Sequence, residues 1–169
     1  TALAALSTLQ TVHWSNTATL FMRVLAVNPN SYVAHTMLAN ERLNEGKNRE
    51  AYAHAQQALA LKPDYVPALQ ALGRCLLLSG DAAGAAEAYG RAVQLEPQTA
   101  ITHFALGNAL AAGEDLEAAR AQYQEAVRLD PQAWYAHENL ALVLLRLGQT
   151  EEAVAHLREC VRLRPDYQE

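Results

Sequence analysis

Histidine and cysteine are the residues of this chain with the chemistry to hold a metal ion or attack a substrate. There are six histidines and two cysteines. His35, His103 and His137 are separated by whole multiples of 34 residues, and so are His54 and His156. A fixed period of that length places at most one residue of each series in any repeated unit. Packed helices lie about 8–10 Å apart, whereas a zinc–nitrogen bond is about 2.0–2.1 Å. Histidines that share one repeat position therefore do not converge on a single ion. No His-x3-His or Cys-x2-Cys spacing occurs. The expected role is a half-buried packing histidine near the turn of a helix pair, with no metal ligand among them.

Cys75 and Cys160 fall more than two units apart, too far for the roughly 7 Å limit of a disulfide, and read as small apolar core residues. There is no G-x-S-x-G elbow, no phosphate-binding loop and no Gly-rich turn after a strand. The adjacent pairs Glu114–Asp115 and Glu151–Glu152 open helices, where the dipole favours carboxylates. The expectation is no catalytic residue, no cofactor and no enzymatic activity in this chain.

The same 34-residue period governs what would position any site. Pro29, Pro63, Pro97, Pro131 and Pro165 stand one period apart. Leu38, Leu72, Leu106 and Leu140 share a position, followed by Ala39, Gly73, Gly107 and Ala141. Ala51, Ala85, Ala119 and Ala153 share another. Tyr89 and Tyr123 hold a large-residue position that is Ala55 in the first full unit and Phe21 before it. Two antiparallel helices approach closely only where both present Gly or Ala; leucine and tyrosine fill the space beside that crossing. Proline ends the second helix, lacking an N–H and restricting its predecessor.

This pattern resembles the tetratricopeptide repeat, W-x2-L-G-x2-Y, then A-x3-F, then P. The resemblance implies an all-α fold, a right-handed superhelical solenoid of antiparallel helix pairs. Four full repeats are expected at 32–65, 66–99, 100–133 and 134–167, within 32–169. They follow a partial N-terminal unit, 1–31, whose second helix covers about 14–27 and whose first is a stub from Thr1 to about Gln10. One continuous solenoid is expected. First helices are placed at 32–44, 66–79, 100–112 and 134–147, second helices at 48–60, 82–94, 116–128 and 150–162. Gly46, Gly80, Gly113 and Gly148 are assigned the intervening turns. Asp81 and Asp115 suit N-caps, and Pro67 a first turn. The family's tryptophan position carries His35, Leu69, His103 and His137 instead, and a usual alanine is Cys160.

A chain of 169 residues with a net charge of −5 and no basic stripe is poorly suited to a nucleic-acid backbone or an anionic membrane as main partner. No apolar run approaches the roughly 18 residues of a membrane span. The compartment stays open between cytoplasmic and, for an array tethered to a membrane segment, periplasmic or lumenal.

The resemblance also implies a binding surface. In this family the first helices line a concave groove, and their groove-facing positions here carry Thr36, Asn40, Gln70, Arg74, Ile101, Phe104, Asn108, Tyr135 and Glu138. Asn139 and Arg146 lie nearby. An asparagine amide offers a donor and an acceptor to a peptide backbone. Ile101, Phe104 and Tyr135 supply apolar anchorage. The lysine-rich clamp with which some family members hold chaperone tails is missing: the corresponding positions carry Thr36, Asn40, Ala71, Ile101 and Ala105. The expected function is a protein–protein interaction scaffold binding an extended peptide or a partner helix.

Two alternatives are carried. Val154, Leu157 and Val161 form an apolar strip on the last helix, suited to self-association into a homo-oligomer. The segment with Gln10, Trp14, Thr19, Leu20, Phe21, Asn28, Pro29 and Asn30 resembles the junction between a membrane helix and a C-terminal repeat array in polytopic glycosyltransferase-like proteins. That resemblance implies a substrate-recruiting appendage of a larger membrane-bound enzyme.

Overall fold

A computed structural model describes residues 17–164. The stub from Thr1 to Gln10, the segment holding Trp14, and Pro165 lie outside the described residues. Every regular element among those described is a helix: α1 (Thr17–Val27), α2 (Tyr32–Asn44), α3 (Asn48–Leu61), α4 (Val66–Leu78), α5 (Ala82–Leu95), α6 (Ala100–Ala112), α7 (Leu116–Leu129), α8 (Trp134–Arg146) and α9 (Thr150–Leu163). The edges from α2 onward fall within one residue of those read from the period.

Capping chemistry explains why the helices begin where they do. Asp81 accepts a hydrogen bond from the Gly84 N–H at 2.9 Å and Asp115 from the Ala118 N–H at 3.2 Å. Ser31 caps α2 in the same way through the Ala34 N–H. Each satisfies a donor that the first helical turn leaves without a partner. Pro67 sits in the first turn of α4. Pro63, Pro97 and Pro131 each follow a C-cap residue, where the chain has already left the helix.

The turn inside each pair needs one residue in the left-handed region. Gly46, Gly80 and Gly148 supply it with φ of 74°, 85° and 79°. In the third full repeat the assignment to Gly113 is corrected. Gly113 has an ordinary φ of −84°, and Glu114 takes the left-handed place at φ 63°. The period shows why: 46, 80, 114 and 148 are the equivalent positions, and the glycine stands one residue early. The Glu114 carboxylate is held by the Arg146 guanidinium.

The described helices belong to two compact units divided between Ser79 and Gly80. In the first, α2 packs on α1, α3 and α4, and α3 packs on α4. Its core joins Ala39, Leu43, Ala51, Ala55, Ala71 and Cys75, with Tyr52 and Leu72 at the edge. Small residues dominate because the helix backbones nearly touch there. The Asn48 side chain crosses between helices to donate to the Cys75 carbonyl at 2.9 Å. In the second unit α5, α6, α7, α8 and α9 pack each on the next. Ala119, Tyr123, Leu140, Ala141, Val143, Leu144 and Ala153 form its main core, and Ala126, Ala133 and Ala136 a smaller one. Gly107 admits the Tyr123 ring: a β-carbon there would lie 2.6 Å from Tyr123 Cε1.

Candidate functional site

Within the second unit, α6, α7 and α8 enclose a cleft of about 570 Å³ lined by Asn108, Ala111, Ala112, Tyr123, Asn139, Leu142, Val143, Leu145 and Arg146. Its walls are mainly apolar. Leu142 and Leu145 remain 52% and 43% exposed although they are large aliphatic residues.

A polar cluster forms part of this lining. The Tyr123 hydroxyl donates to Asn108 Oδ1 at 2.7 Å, and Asn139 Nδ2 donates to the same oxygen at 2.9 Å. With that carbonyl doubly engaged, Asn108 has its NH2 group left to offer, and Asn139 its carbonyl. One donor and one acceptor from adjacent helices match the complementary pair that an extended backbone presents. Burial raises the Tyr123 phenol well above its ordinary pKa, and the Asn139 side chain only partly offsets this. Tyr123 therefore stays a neutral donor. Arg146, on the same lining, brings a cation partnered by Glu114.

The groove positions implied by the repeat occupy different surroundings in the structure. Asn108 lines the cleft. Asn139 and Arg146, which the repeat positions put only near the groove, are part of its wall. Their signal was spacing: both lie on the helix one period after that of Asn108, where the lining continues. Phe104 and Tyr135 meet edge to face with ring centroids 4.7 Å apart, and Phe104 lies 5.8 Å from the Tyr123 ring. They act chiefly as packing partners of one another. Burial, with some help from Asp130, raises the Tyr135 phenol. Ile101 is 53% exposed, and Glu138 is half-buried on α8.

In the first unit, Asn40 and Gln70 are half-buried and Arg74 is exposed. Thr36 is corrected: it is fully buried, and its hydroxyl donates to the Tyr32 carbonyl at 2.9 Å. A hydroxyl turned back onto its own helix and shut away from solvent offers a ligand nothing.

The histidines form a motif that the period alone does not reveal. His35 Nδ1 lies 3.1 Å from His54 Nδ1, and His137 Nδ1 lies 3.0 Å from His156 Nδ1. In the third full repeat His103 Nδ1 meets Gln122 Oε1 at 2.8 Å. Each first-helix histidine also turns Nε2 to a proline carbonyl, that of Pro29, Pro97 or Pro131. The link is between two different repeat positions, 19 residues apart, within one helix pair.

On α9, Val154, Leu157 and Val161 are 37%, 37% and 40% exposed, and with Arg158 they line a shallow depression of about 290 Å³. Among the described residues no helix is long and apolar enough to cross a membrane.

Residues 42–105 and 104–167 each match a family model described as tetratricopeptide repeat. Among solved structures, the chain is similar to MamA 41-end from Desulfovibrio magneticus RS-1, with 20% identity over 92% of this chain and 99% of that one, at a TM-score of 0.80. It is similar to YrrB, described as a TPR protein with an unusual peptide-binding site, with 20% identity over 96% and 83% of the two chains and a TM-score of 0.77. It is also similar to a thermophilic TPR protein of Thermus thermophilus, with 24% identity, 88% and 81% coverage and a TM-score of 0.71. No curated protein sequence matches the chain. At such identities the structural likeness speaks to fold, and the two family-model matches speak to membership. The chain belongs to the tetratricopeptide repeat family, a family of scaffolds for protein–protein interaction.

Proposed function

We propose that the chain holds an extended peptide segment of a partner protein in the cleft between α6, α7 and α8. The observation that carries this is the Asn108–Tyr123–Asn139 cluster in a cleft with otherwise apolar walls. The asparagines take the ligand's backbone, and Leu142 and Leu145 take an apolar side chain. Arg146 favours a carboxylate close by, because that group can replace Glu114 on the guanidinium. YrrB, with its unusual peptide-binding site, is consistent with this use of the fold. The test is selection of peptides from a random display library on the full chain, followed by fluorescence polarisation. Leu142→Glu sets a charge on an exposed wall and is expected to weaken selected peptides at least about tenfold. Unchanged affinity would remove the cleft as the site.

A second reading rests on the α9 strip. Val154, Leu157 and Val161 point a shared face outward with no helix over it among the described residues. In this reading a second copy covers it. Light scattering of the chain and of Leu157→Glu tests the idea: a dimer lost in the variant supports it, and a monomer, or a dimer that persists, removes it.

A further inference from the structure

We propose that each histidine–histidine bridge is a site for a divalent first-row transition ion such as Zn2+ or Co2+, formed by His35, His54 and Glu50 in one unit and by His137, His156 and Glu152 in the other. The inference is independent of the peptide cleft.

A proline carbonyl only accepts, so the Nε2 atoms of His35 and His137, facing Pro29 and Pro131, carry the proton. A neutral ring protonated at Nε2 has its lone pair at Nδ1, which faces the second histidine. A histidine whose outer N–H is fixed on a backbone carbonyl is the usual state of a metal ligand, since the carbonyl sets both tautomer and ring orientation. In the empty bridge His54 or His156 donates its Nδ1–H. Moving that proton to its own Nε2 frees the second lone pair with no net change in protonation.

The paired nitrogens are 3.1 and 3.0 Å apart. Two nitrogens each about 2.0–2.1 Å from a tetrahedral ion stand roughly 3.3–3.4 Å apart. Both rings must also turn, by roughly 35° each, so that the two lone pairs point at the ion rather than at one another. The bridge is half-buried rather than sealed, since His54 and His156 are partly exposed.

The third ligand is indicated by co-occurrence along the repeats. Glu50 precedes His54 by four residues and Glu152 precedes His156 by four, which places each pair on one helix face. The two intervening full repeats lack the histidine pair and lack the acid as well: they carry Leu69, Gly84 and Ala88, and His103, Ala118 and Gln122. A carboxylate kept only for the helix dipole need not follow the histidines. Indeed α7 has its first-turn acid at Glu117, off this face. The Glu50 side chain is 57% exposed and now pairs with Arg42 Nε at 3.2 Å. As the side chains lie, no three metal-ligating groups converge among the described residues, so the carboxylate swings in when the ion binds. Two imidazoles, one carboxylate and water suit zinc or cobalt rather than calcium or magnesium.

The test is titration of the full chain with Zn2+ by calorimetry at about pH 7.5, since protons compete with the ion for imidazole and carboxylate ligands at lower pH. Two ions per chain are expected. His54→Gln and His156→Gln should each remove one ion, and the double variant both, with its far-ultraviolet melt retained because Gln122 already fills this position in a bridge. Glu50→Gln with Glu152→Gln should weaken both sites at least about tenfold. His103→Gln should leave two. Co2+ gives a readout without substitution: its paramagnetic shifts should fall on the rings of His35, His54, His137 and His156 and spare His103. The proposal is overturned if no ion binds at millimolar Zn2+, if the double variant binds as the parent does, or if Co2+ develops a thiolate charge-transfer band from Cys75 or Cys160.

Discussion

Gly107 and Tyr123 share one volume: a β-carbon on the glycine would stand 2.6 Å from Cε1 and 2.7 Å from Cδ1 of the tyrosine ring. The ring cannot retreat easily, because it is 2% exposed and its hydroxyl is fixed on Asn108. Gly107→Ala should therefore destabilise the chain by about 1–3 kcal/mol through overpacking. This exceeds the roughly 1 kcal/mol that alanine ordinarily gains over glycine inside a helix. Urea denaturation measures it, and a stabilised variant would show that the ring has room to move.

Asn108 lines the cleft but also supports the fold. Asn108→Ala strands the Tyr123 hydroxyl, whose partner it removes, and should cost about 1–3 kcal/mol. Reading the groove from sequence alone suggests a change in binding with little change in melting. The structure predicts that both change. Asn139→Ala leaves the Tyr123–Asn108 bond in place and is the cleaner binding variant. A melting temperature for Asn108→Ala equal to that of the parent would contradict this coupling.

Glu114 occupies a left-handed position that three equivalent glycines occupy elsewhere. A side chain there costs roughly 1–2 kcal/mol, and the exposed pair with Arg146 returns about 0–1 kcal/mol. Glu114→Gly should raise stability by about 1 kcal/mol, the middle of the roughly 0–2 kcal/mol span between those two effects, seen as a higher thermal midpoint. Gly113→Ala should be tolerated, since its φ is ordinary and a β-carbon would find neighbours no nearer than 3.5 Å.

Burial pushes the Cys75 thiol up to about 11, with Arg74 opposing weakly. Released on unfolding, the thiol ionises near its ordinary value of 9.0. Between about pH 9 and 11 the folded chain thus holds a proton that the unfolded chain loses, and stability must fall as pH rises through that window. The Tyr123 phenol is displaced in the same direction. Thermal midpoints from about pH 8 to about 10.5 should decline, less steeply in Cys75→Ala. Parallel slopes would show that the thiol does not contribute.

Helix edges, the Asp81 and Asp115 caps and the alanine crossings were legible because they depend on residue type at a fixed period. Thr36 misled: its place in the repeat pointed to the groove, but burial depends on what packs over a helix, and the period does not carry that. Gly113 misled through a one-residue offset, since a glycine beside the left-handed position looks like one at it. The bridges from His35 to His54 and from His137 to His156 are not legible in the period because they join two different repeat positions across a helix pair. Asn139 and Arg146 read only as neighbours of the groove because the cleft takes its lining from three successive helices rather than from one register position.

The most direct test is amide NMR of the full chain titrated with a display-selected peptide. Peptide capture between α6, α7 and α8 requires the largest shifts at the side-chain amides of Asn108 and Asn139 and along Leu142–Arg146, with Asn139→Ala and Leu142→Glu abolishing them. Shifts centred on α9 around Leu157, or a peptide affinity indifferent to both substitutions, would contradict it.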